Sequence, residues 1–368
     1  MNKVLNRIKS LTKKEFLNLW VDKRITAMLL FSPVIQLIIF AWAVTLEVKN
    51  VTMVIYDQDK TQYSNELIYR FNNKSIIKEI LFVNSYQEIK NIIDDQKALF
   101  GIVIPQDFQE NIISKQGTDL QFILDGRDTN SSQIFSSYAN SIVQSYISEI
   151  NHTKSKIKLD TRNWFNPNLE YQWYMAITMT GILSMITALI ITSLSLAQEK
   201  EFGTFDQTIV SPLQPTEILI GKTIPAIVFA LAVTMIMIIS GVLIFKVPVI
   251  SSVFTILIVT TIFLLSISGI GLFISSMCKS QQQAILGVFA FMVPSLMISG
   301  FISPIENMPL IMRLIGYINP VTYYILLIKG LFLKSIPIWM IIRYSIPLII
   351  ISIFTLTFAG WFFKQKLD

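Results

Sequence analysis

The sequence predicts an α-helical polytopic membrane protein with six transmembrane helices and an α/β extracytoplasmic domain inserted between helices 1 and 2. Three observations predict it. Of the 368 residues, 52% are hydrophobic and 25 are Phe, and the mean hydropathy is +0.57, too apolar for an ordinary soluble domain. Stretches without charge that reach the roughly 20 residues needed to cross a bilayer occur at 25–46, 171–198, 223–245, 247–278, 280–305 and 344–363. Between the first and second of these lies a long polar segment, 47–173, large enough to be a domain.

Lysine and arginine in short loops set the sidedness of such a chain. Lys3, Arg7, Lys9, Lys13, Lys14, Lys23 and Arg24 precede the first span and hold the N-terminus in the cytoplasm. Six crossings return the tail 364–368, with Lys364 and Lys366, to the same side. The first span is longer than a signal-peptide core of about 7–15 residues. Thr45-Leu46-Glu47-Val48 also lacks a small-x-small cleavage site, so the span reads as an anchor. The net charge of +6 belongs to residues beside the membrane or scattered outside it, which points to topology and anionic lipid and away from nucleic acid.

Residues 1–24 place Val4, Ile8, Leu11, Leu19 and Trp20 near helical spacing, with basic residues among them. That is the pattern of an amphipathic interface helix on the inner leaflet, the plainer reading being a basic topogenic tail. The first span, 25–46, contains Pro33 and Gln36, which membrane helices tolerate.

In the polar segment, 51–56, 80–83, 99–104 and 120–124 read as strands, and 60–73 and 86–95 as helices, with Pro105 at a further helix start. Alternation of this kind favours an α/β domain with a mixed sheet. A long helix, 131–157, carries Ile134, Tyr138, Ile142, Tyr146 and Ile150 on one face. Asp125-Gly126-Arg127-Asp128 fails the EF-hand spacing and reads as a turn. His152 is the single histidine and Cys278 the single cysteine, so neither a metal cluster nor a disulfide framework is available. Asn50, Asn73, Asn130 and Asn151 each begin a glycosylation sequon, relevant only in a source that glycosylates exported domains. Trp164, Phe165, Trp173 and Tyr174 before the second span form an interfacial belt.

The second to fourth spans are dotted with Ser and Thr, and Gly269, Gly271 and Ser275 allow close helix packing. No Asp, Glu, Lys or His lies deep in a span. A proton-coupled transporter needs such a group, so the energy must come from elsewhere. After the fifth span, 302–334 is broken by Pro304, Pro309, Pro320, Arg313 and Lys329 into runs too short to cross, which predicts short re-entrant or interfacial helices on the outer side. Arg343, at the outer start of the last span, is expected to snorkel to the interface, the other reading being a substrate contact.

The stretch that organises the chain is 197–225, the long polar interruption between the second and third spans. Glu199, Lys200 and Glu201 close one apolar run. Gly203 supplies the exit past a helix end, and Thr204 with Gln207 three residues on is a capping-box pattern for a short helix. Pro212 stops that helix. Pro215-Thr216-Glu217 starts the next segment, with a threonine able to cap it and an acid in its first turn. The result is a helix-break-helix elbow at the membrane face. Ile220-Gly221-Lys222-Thr223 ends like a P-loop, but Thr216 stands where the first glycine is needed and no strand leads in, so nucleotide binding is rejected. With no nucleophile-base-acid set or HExxH motif, the chain carries no catalytic residues, no metal site and no cofactor of its own.

Glu-x-Glu-x-Gly-Thr followed by an acid, the Pro near the end of a short helix, and Gly221-Lys222 resemble the coupling region of type-2 ABC transporter permeases. The likeness covers nearly the whole chain. The subgroup with a large outer domain, which looks like drug-exporter permeases, has counterparts of several further features. These are the strand ending near Asp57, the Ile104-Pro105-x-x-Phe108 turn, Leu124-Asp125-Gly126 and Asn166-Pro167. So are Ser299-Gly300-Phe301 with Pro304, Asn307-Met308-Pro309, Asn319-Pro320 and Lys329-Gly330. Departures are Phe205-Asp206, where relatives commonly carry Leu or Met and Glu, and Phe165, where Tyr is frequent.

The resemblance implies the transmembrane subunit of a multidrug-type ABC exporter in a bacterial cytoplasmic membrane. It pairs with a second permease copy or homologue and with a separate ABC ATPase that holds ATP and magnesium. Its coupling residues are Glu199, Glu201, Gly203, Thr204, Asp206, Gln207, Pro212, Gly221 and Lys222. Glu199 and Glu201 offer charge to the ATPase, Gly203 is the hinge, and Thr204 and Gln207 cap the elbow helix. Spans without fixed charge favour an amphipathic or hydrophobic cargo, and the outer domain is placed to receive a periplasmic adaptor. The alternatives are a sodium or other ion exporter of the same layout, and a membrane-anchored receptor or assembly scaffold without transport.

Overall fold

The computed structural model describes residues 2–21, 23–43, 51–72, 76–114, 118–127, 129–150, 166, 170–211 and 213–365. The chain divides into two compact units, Met1–Thr45 with Asn163–Asp368, and Leu46–Arg162.

The first unit opens with α1 (Asn2–Val21) and α2 (Lys23–Ala43), which meet at a bend of 68°. On α1, Leu11 is buried and Ile8, Phe16 and Leu19 are half-buried. Trp20, expected on the same stripe, is 68% exposed. Nine positions beyond Leu11, a 3.6-residue helix has turned to its opposite side. Positions 44–46 of the expected first span lie outside the described residues.

The second unit contains β1 (Val51–Asp57), α3 (Gln62–Asn72), β2 (Ile77–Phe82), α4 (Tyr86–Asp94), β3 (Phe100–Ile104), α5 (Phe108–Ile113), β4 (Gln121–Leu124) and α6 (Thr129–Ile150). The sheet order is β2-β1-β3-β4, with β1 parallel to both neighbours and β4 antiparallel to β3. Successive strand residues point to opposite faces. Met53, Ile55, Phe100 and Ile102 therefore join the core formed with Leu67, Phe71, Phe108, Phe135 and Tyr146, while Val54 and Val103 join Ile89 and Ile93 of α4. Phe100 and Phe135 stack with ring centroids 3.6 Å apart.

The turn after β4 is closed by Arg127, which donates to Asp125 at 2.9 Å and to the Ile93 carbonyl at 2.6 Å, finishing the end of α4. The guanidinium holds the Asp125 carboxyl below the usual carboxylate range. Asp128, Asn151 and His152 lie outside the described residues. Pro105 does not start a helix; α5 begins at Phe108, after Asp107.

The first unit resumes with α7 (Tyr171–Glu201), α8 (Phe205–Val210), α9 (Pro215–Phe245), α10 (Val253–Met277) and α11 (Gln281–Met297). A short 3-10 turn (Ile305–Asn307), α12 (Leu310–Ile318), α13 (Pro320–Leu333) and α14 (Ile338–Gln365) complete it. Among the described residues, α7, α9, α10 and α14 are each long and apolar enough to cross a membrane. Counting the bent pairs α1 with α2 and α12 with α13 as one span each raises the four to six. The stretch expected to span at 280–305 is helical only over 17 residues, because the chain turns at Gly300, whose φ is +82°.

At the centre stands α7, buried through most of its length and packed by α2, α9, α10, α11 and α13. Buried hydroxyls pair across helices, Ser184 with Thr234 at 2.7 Å and Thr260 with Tyr324 at 2.9 Å, which satisfies polar groups where water is scarce. At the start of α7, Trp173 Nε1 donates to the Phe245 carbonyl at 3.1 Å. The Tyr174 hydroxyl donates to Phe301 O at 2.7 Å, and the Lys329 ammonium lies 4.3 Å from the centre of its ring. Trp164, Phe165 and Pro167 lie outside the described residues.

Candidate functional site

The elbow begins where α7 ends. That helix runs past the apolar stretch to Glu201, and Gly203 adopts φ +70°, a conformation that costs glycine nothing. Gly203 N–H donates to Lys200 O at 3.3 Å and Thr204 N–H to Glu199 O at 2.9 Å. These are the two bonds of a Schellman ending. The Thr204 hydroxyl donates to the same Glu199 carbonyl at 3.3 Å, and its backbone is helical, with φ −88° and ψ −5°. An N-cap needs extended backbone and a free side-chain oxygen aimed forward. Thr204 therefore finishes α7 and does not cap α8, and the capping box expected with Gln207 is not formed. The next helix also starts differently. Gln214 is the N-cap of α9, Pro215 its first residue, and the Glu217 carboxylate accepts from Gln214 N–H at 3.0 Å, so Thr216 is not the cap.

Two side chains tie the elbow to its neighbours. Lys200 Nζ donates to the carbonyls of Ser275, Ser276 and Cys278 at 3.3, 2.7 and 3.2 Å, closing the C-terminal end of α10. Glu201 Oε2 accepts from Gln281 N–H at 2.7 Å, at the positive end of α11. The short helix α8 is anchored by Phe205, whose ring meets Phe363 edge-on at 6.1 Å beside the cluster of Leu11, Leu196 and Ile218. The outward side is different. Phe202 is 65% and Val210 86% exposed, and Gln207 is also exposed. The Asp206 side chain and Pro212 lie outside the described residues.

On the inner side α1 packs against α9. A Cβ at Gly221 would lie 2.6 Å from Leu11 Cδ2, so only glycine lets the two helices come this close. Next to it, Lys222 is buried with 0% side-chain exposure. Its ammonium lies 2.8 Å from Glu15 Oε1 and 3.1 Å from Glu199 Oε1, and it donates to Ser195 O at 3.2 Å. Lys14 Nζ reaches the same Glu199 oxygen at 3.1 Å, and Arg7 stands 3.9 Å from Glu217. An isolated buried ammonium costs several kcal/mol, and two carboxylates with a carbonyl offset that cost here. Glu199 is thus turned inward, 8% exposed, which does not suit the direct partner contact expected of it.

Of the residues singled out from sequence, Glu199 and Lys222 meet, Gly221 admits α1 beside them, and Gly203 and Thr204 shape the turn. Sequence reasoning missed Lys14 and Glu15 as their partners. A signal was present: Glu15 is the sole acid in residues 1–21 and falls four positions from both Leu11 and Leu19, on the inward stripe. Beside this network is a cavity of about 1050 Å³ lined by α1, the end of α7 and the elbow, including Glu199, Thr204, Gln207 and Lys222.

Long apolar helices packed round α7 define a polytopic membrane protein. The family is shown by comparison. Residues 23–361 match the family described as ABC-2 family transporter protein, and the chain belongs to that family. It is 38% identical over 366 residues to an Escherichia coli K12 protein named probable multidrug ABC transporter permease YbhR, covering 99% of this chain and 100% of that one. It is 27% identical over 345 residues to probable multidrug ABC transporter permease YbhS of the same organism, covering 92% and 91%. It is 26% identical over 345 residues to the K12 inner membrane transport permease YhhJ, covering 90% of each.

Proposed function

We propose that this chain is the permease subunit of an ATP-driven exporter, acting as a homodimer or beside a similar permease, with two copies of a separate ATPase. In this reading α2, α7, α9, α10, α11 and α14 are six spans and both termini are cytoplasmic. The α/β unit lies outside, where it receives an adaptor or shields the exit. Cargo is an amphipathic or hydrophobic molecule, because the inter-helix contacts are hydroxyls and hydrocarbon with little fixed charge.

The observation that carries the reading is the elbow's division of labour. Its root is held to α1, α10 and α11, while Phe202 and Val210 present hydrocarbon to solvent. An exposed apolar tip on a stiff root transmits a push: ATPase closure would displace α8, and through Gly203 and the Lys222 cluster would move α7, α9 and α1 together. Glu199 then acts by holding α1, and Glu201 by holding α11.

The test is capture of an ATPase from mild detergent by the tagged chain, with mass spectrometry and ATP hydrolysis as readouts, alongside Val210→Asp. The native chain is expected to bring down an ABC ATPase, and Val210→Asp to lose it while thermal stability stays unchanged. No ATPase with the native chain, or equal capture by the variant, defeats the proposal.

A further inference from the structure

The cavity beside α1 has a polarity gradient. Along one face of α7 it touches Ile190, Ile191 and Leu194 and then Gln198 and Glu199, so about 12 Å of helix separates its apolar end from its polar end. Leu29, two turns into α2, joins the apolar wall, and Lys23, at the start of that helix, lines the cavity as well. At about 1050 Å³ it matches the upper range of ligand pockets, roughly 300–1,000 Å³, and is far larger than a bare ion needs.

Among the described residues its charges are unbalanced. Lys14, Lys23 and Lys222 face Glu15 and Glu199, an excess of one positive charge among them. Lys222 has its three donors directed to Glu15, Glu199 and the Ser195 carbonyl. Lys14 is half-exposed and bonded through one oxygen of Glu199, and Lys23 is exposed. Among the described residues, the cations open to a ligand therefore belong to Lys14 and Lys23. Trp20, on the outward side of α1, is 68% exposed, as a helix bedded in a bilayer interface requires, while Leu17 and Val21, 52% and 76% exposed, line the cavity.

We infer that this cavity holds one anionic phospholipid from the leaflet that α1 borders. Its acyl chain lies against Leu29, Ile191 and Leu194, and its phosphate lies between Lys14 and Lys23. Thr204, Gln207 and Leu213 of the elbow line the same cavity, so the occupant touches the coupling element directly. The site would make the elbow sensitive to lipid composition. The inference rests on the proposed topology only in calling that leaflet the inner one.

The experiment uses the full chain in phosphatidylcholine nanodiscs with a trace of phosphatidylglycerol carrying a photoreactive acyl chain, without ATPase or nucleotide. Peptide mapping is expected to find label in 14–29 and 186–199, competed by unlabelled phosphatidylglycerol and not by phosphatidylcholine. Lys23→Gln is expected to lower that label about fivefold, the weight of one lysine near an anionic surface. Leu194→Trp, which fills the apolar end, is expected to remove it. Label confined to outward positions, label unaffected by Lys23→Gln, or equal competition by phosphatidylcholine overturns the proposal. Competition by millimolar inorganic phosphate as strong as that of phosphatidylglycerol also overturns it, in favour of a free anion site. Because no ATPase is present, failure here and failure to capture an ATPase are separate results.

Discussion

Glu199 and Glu201 stand two residues apart in one run of charge, yet the inner and outer sides of the elbow treat them in opposite ways. Two positions along a helix are about 200° apart around its axis. Glu199 points under α1, where it binds Lys14 and Lys222, and Glu201 points away, where it caps α11 in solvent. The inner side is a set of paired charges at the wall of a cavity. The outer side is one helix cap and exposed hydrocarbon. A motif of two acids is therefore two devices, one that fastens the elbow to α1 and one that steadies the start of α11.

The contrast is most easily broken from inside. Lys222→Met leaves the Glu15 carboxylate without its cation and Glu199 with Lys14 alone among the described cations, and is expected to cost about 3–5 kcal/mol. Thermal unfolding in detergent measures it, and adding Glu15→Gln should return part of the loss. If Lys222→Met melts like the native chain, the inner side is not a locked network.

A steric change probes the same side more gently. Gly221→Val drives a side chain into Leu11 and is expected to cost about 1–3 kcal/mol. Leu11→Ala in the same chain should relieve it, whereas additive losses would mean that α1 does not rest on Gly221.

Gly203 lies between the two sides. Gly203→Ala must hold a left-handed backbone and is expected to lose about 1–2 kcal/mol, while Gly203→Asn loses less because asparagine tolerates that conformation. Equal melting of alanine and asparagine variants would remove the turn from the argument.

The smallest effect belongs outside. Glu201→Gln removes one negative charge from the start of α11 and is expected to cost about 0.3–1 kcal/mol. The readout is faster amide exchange at 281–284, with no change in the contact between α1 and α9. A loss as large as that of Lys222→Met would erase the difference between the two sides.

Much of the fold was legible in the sequence. β1 and β3 are runs of β-branched and aromatic residues between turns, and their period-2 pattern survives folding because each sheet face has its own core. The apolar body of α7 was equally plain. Its end at Glu201 was marked by Gly203 and not by hydropathy, which shows where lipid stops and not where backbone hydrogen bonding stops. For the same reason α9 begins at Pro215, two turns before its charge-free stretch. Thr204 and Gln207 carry a pattern that fits a cap, but Gly203, one residue earlier, commits Thr204 to the ending of α7. The buried network was hidden for a different reason. Lys14 and Glu199 are 185 residues apart, and Glu15 and Lys222 are 207 apart, so no local periodicity relates them.

That separation sets an order of events during synthesis. Glu15 leaves the ribosome 207 residues ahead of Lys222, which at about 5–20 residues per second is about 10–40 s. Through that interval the charges of α1 have only water and lipid headgroups as partners. The first helix to be made is among the last to be fastened. A chain interrupted before residue 199 lacks Glu199, Glu217 and Lys222, the charged partners that fasten α1 to the rest of its unit.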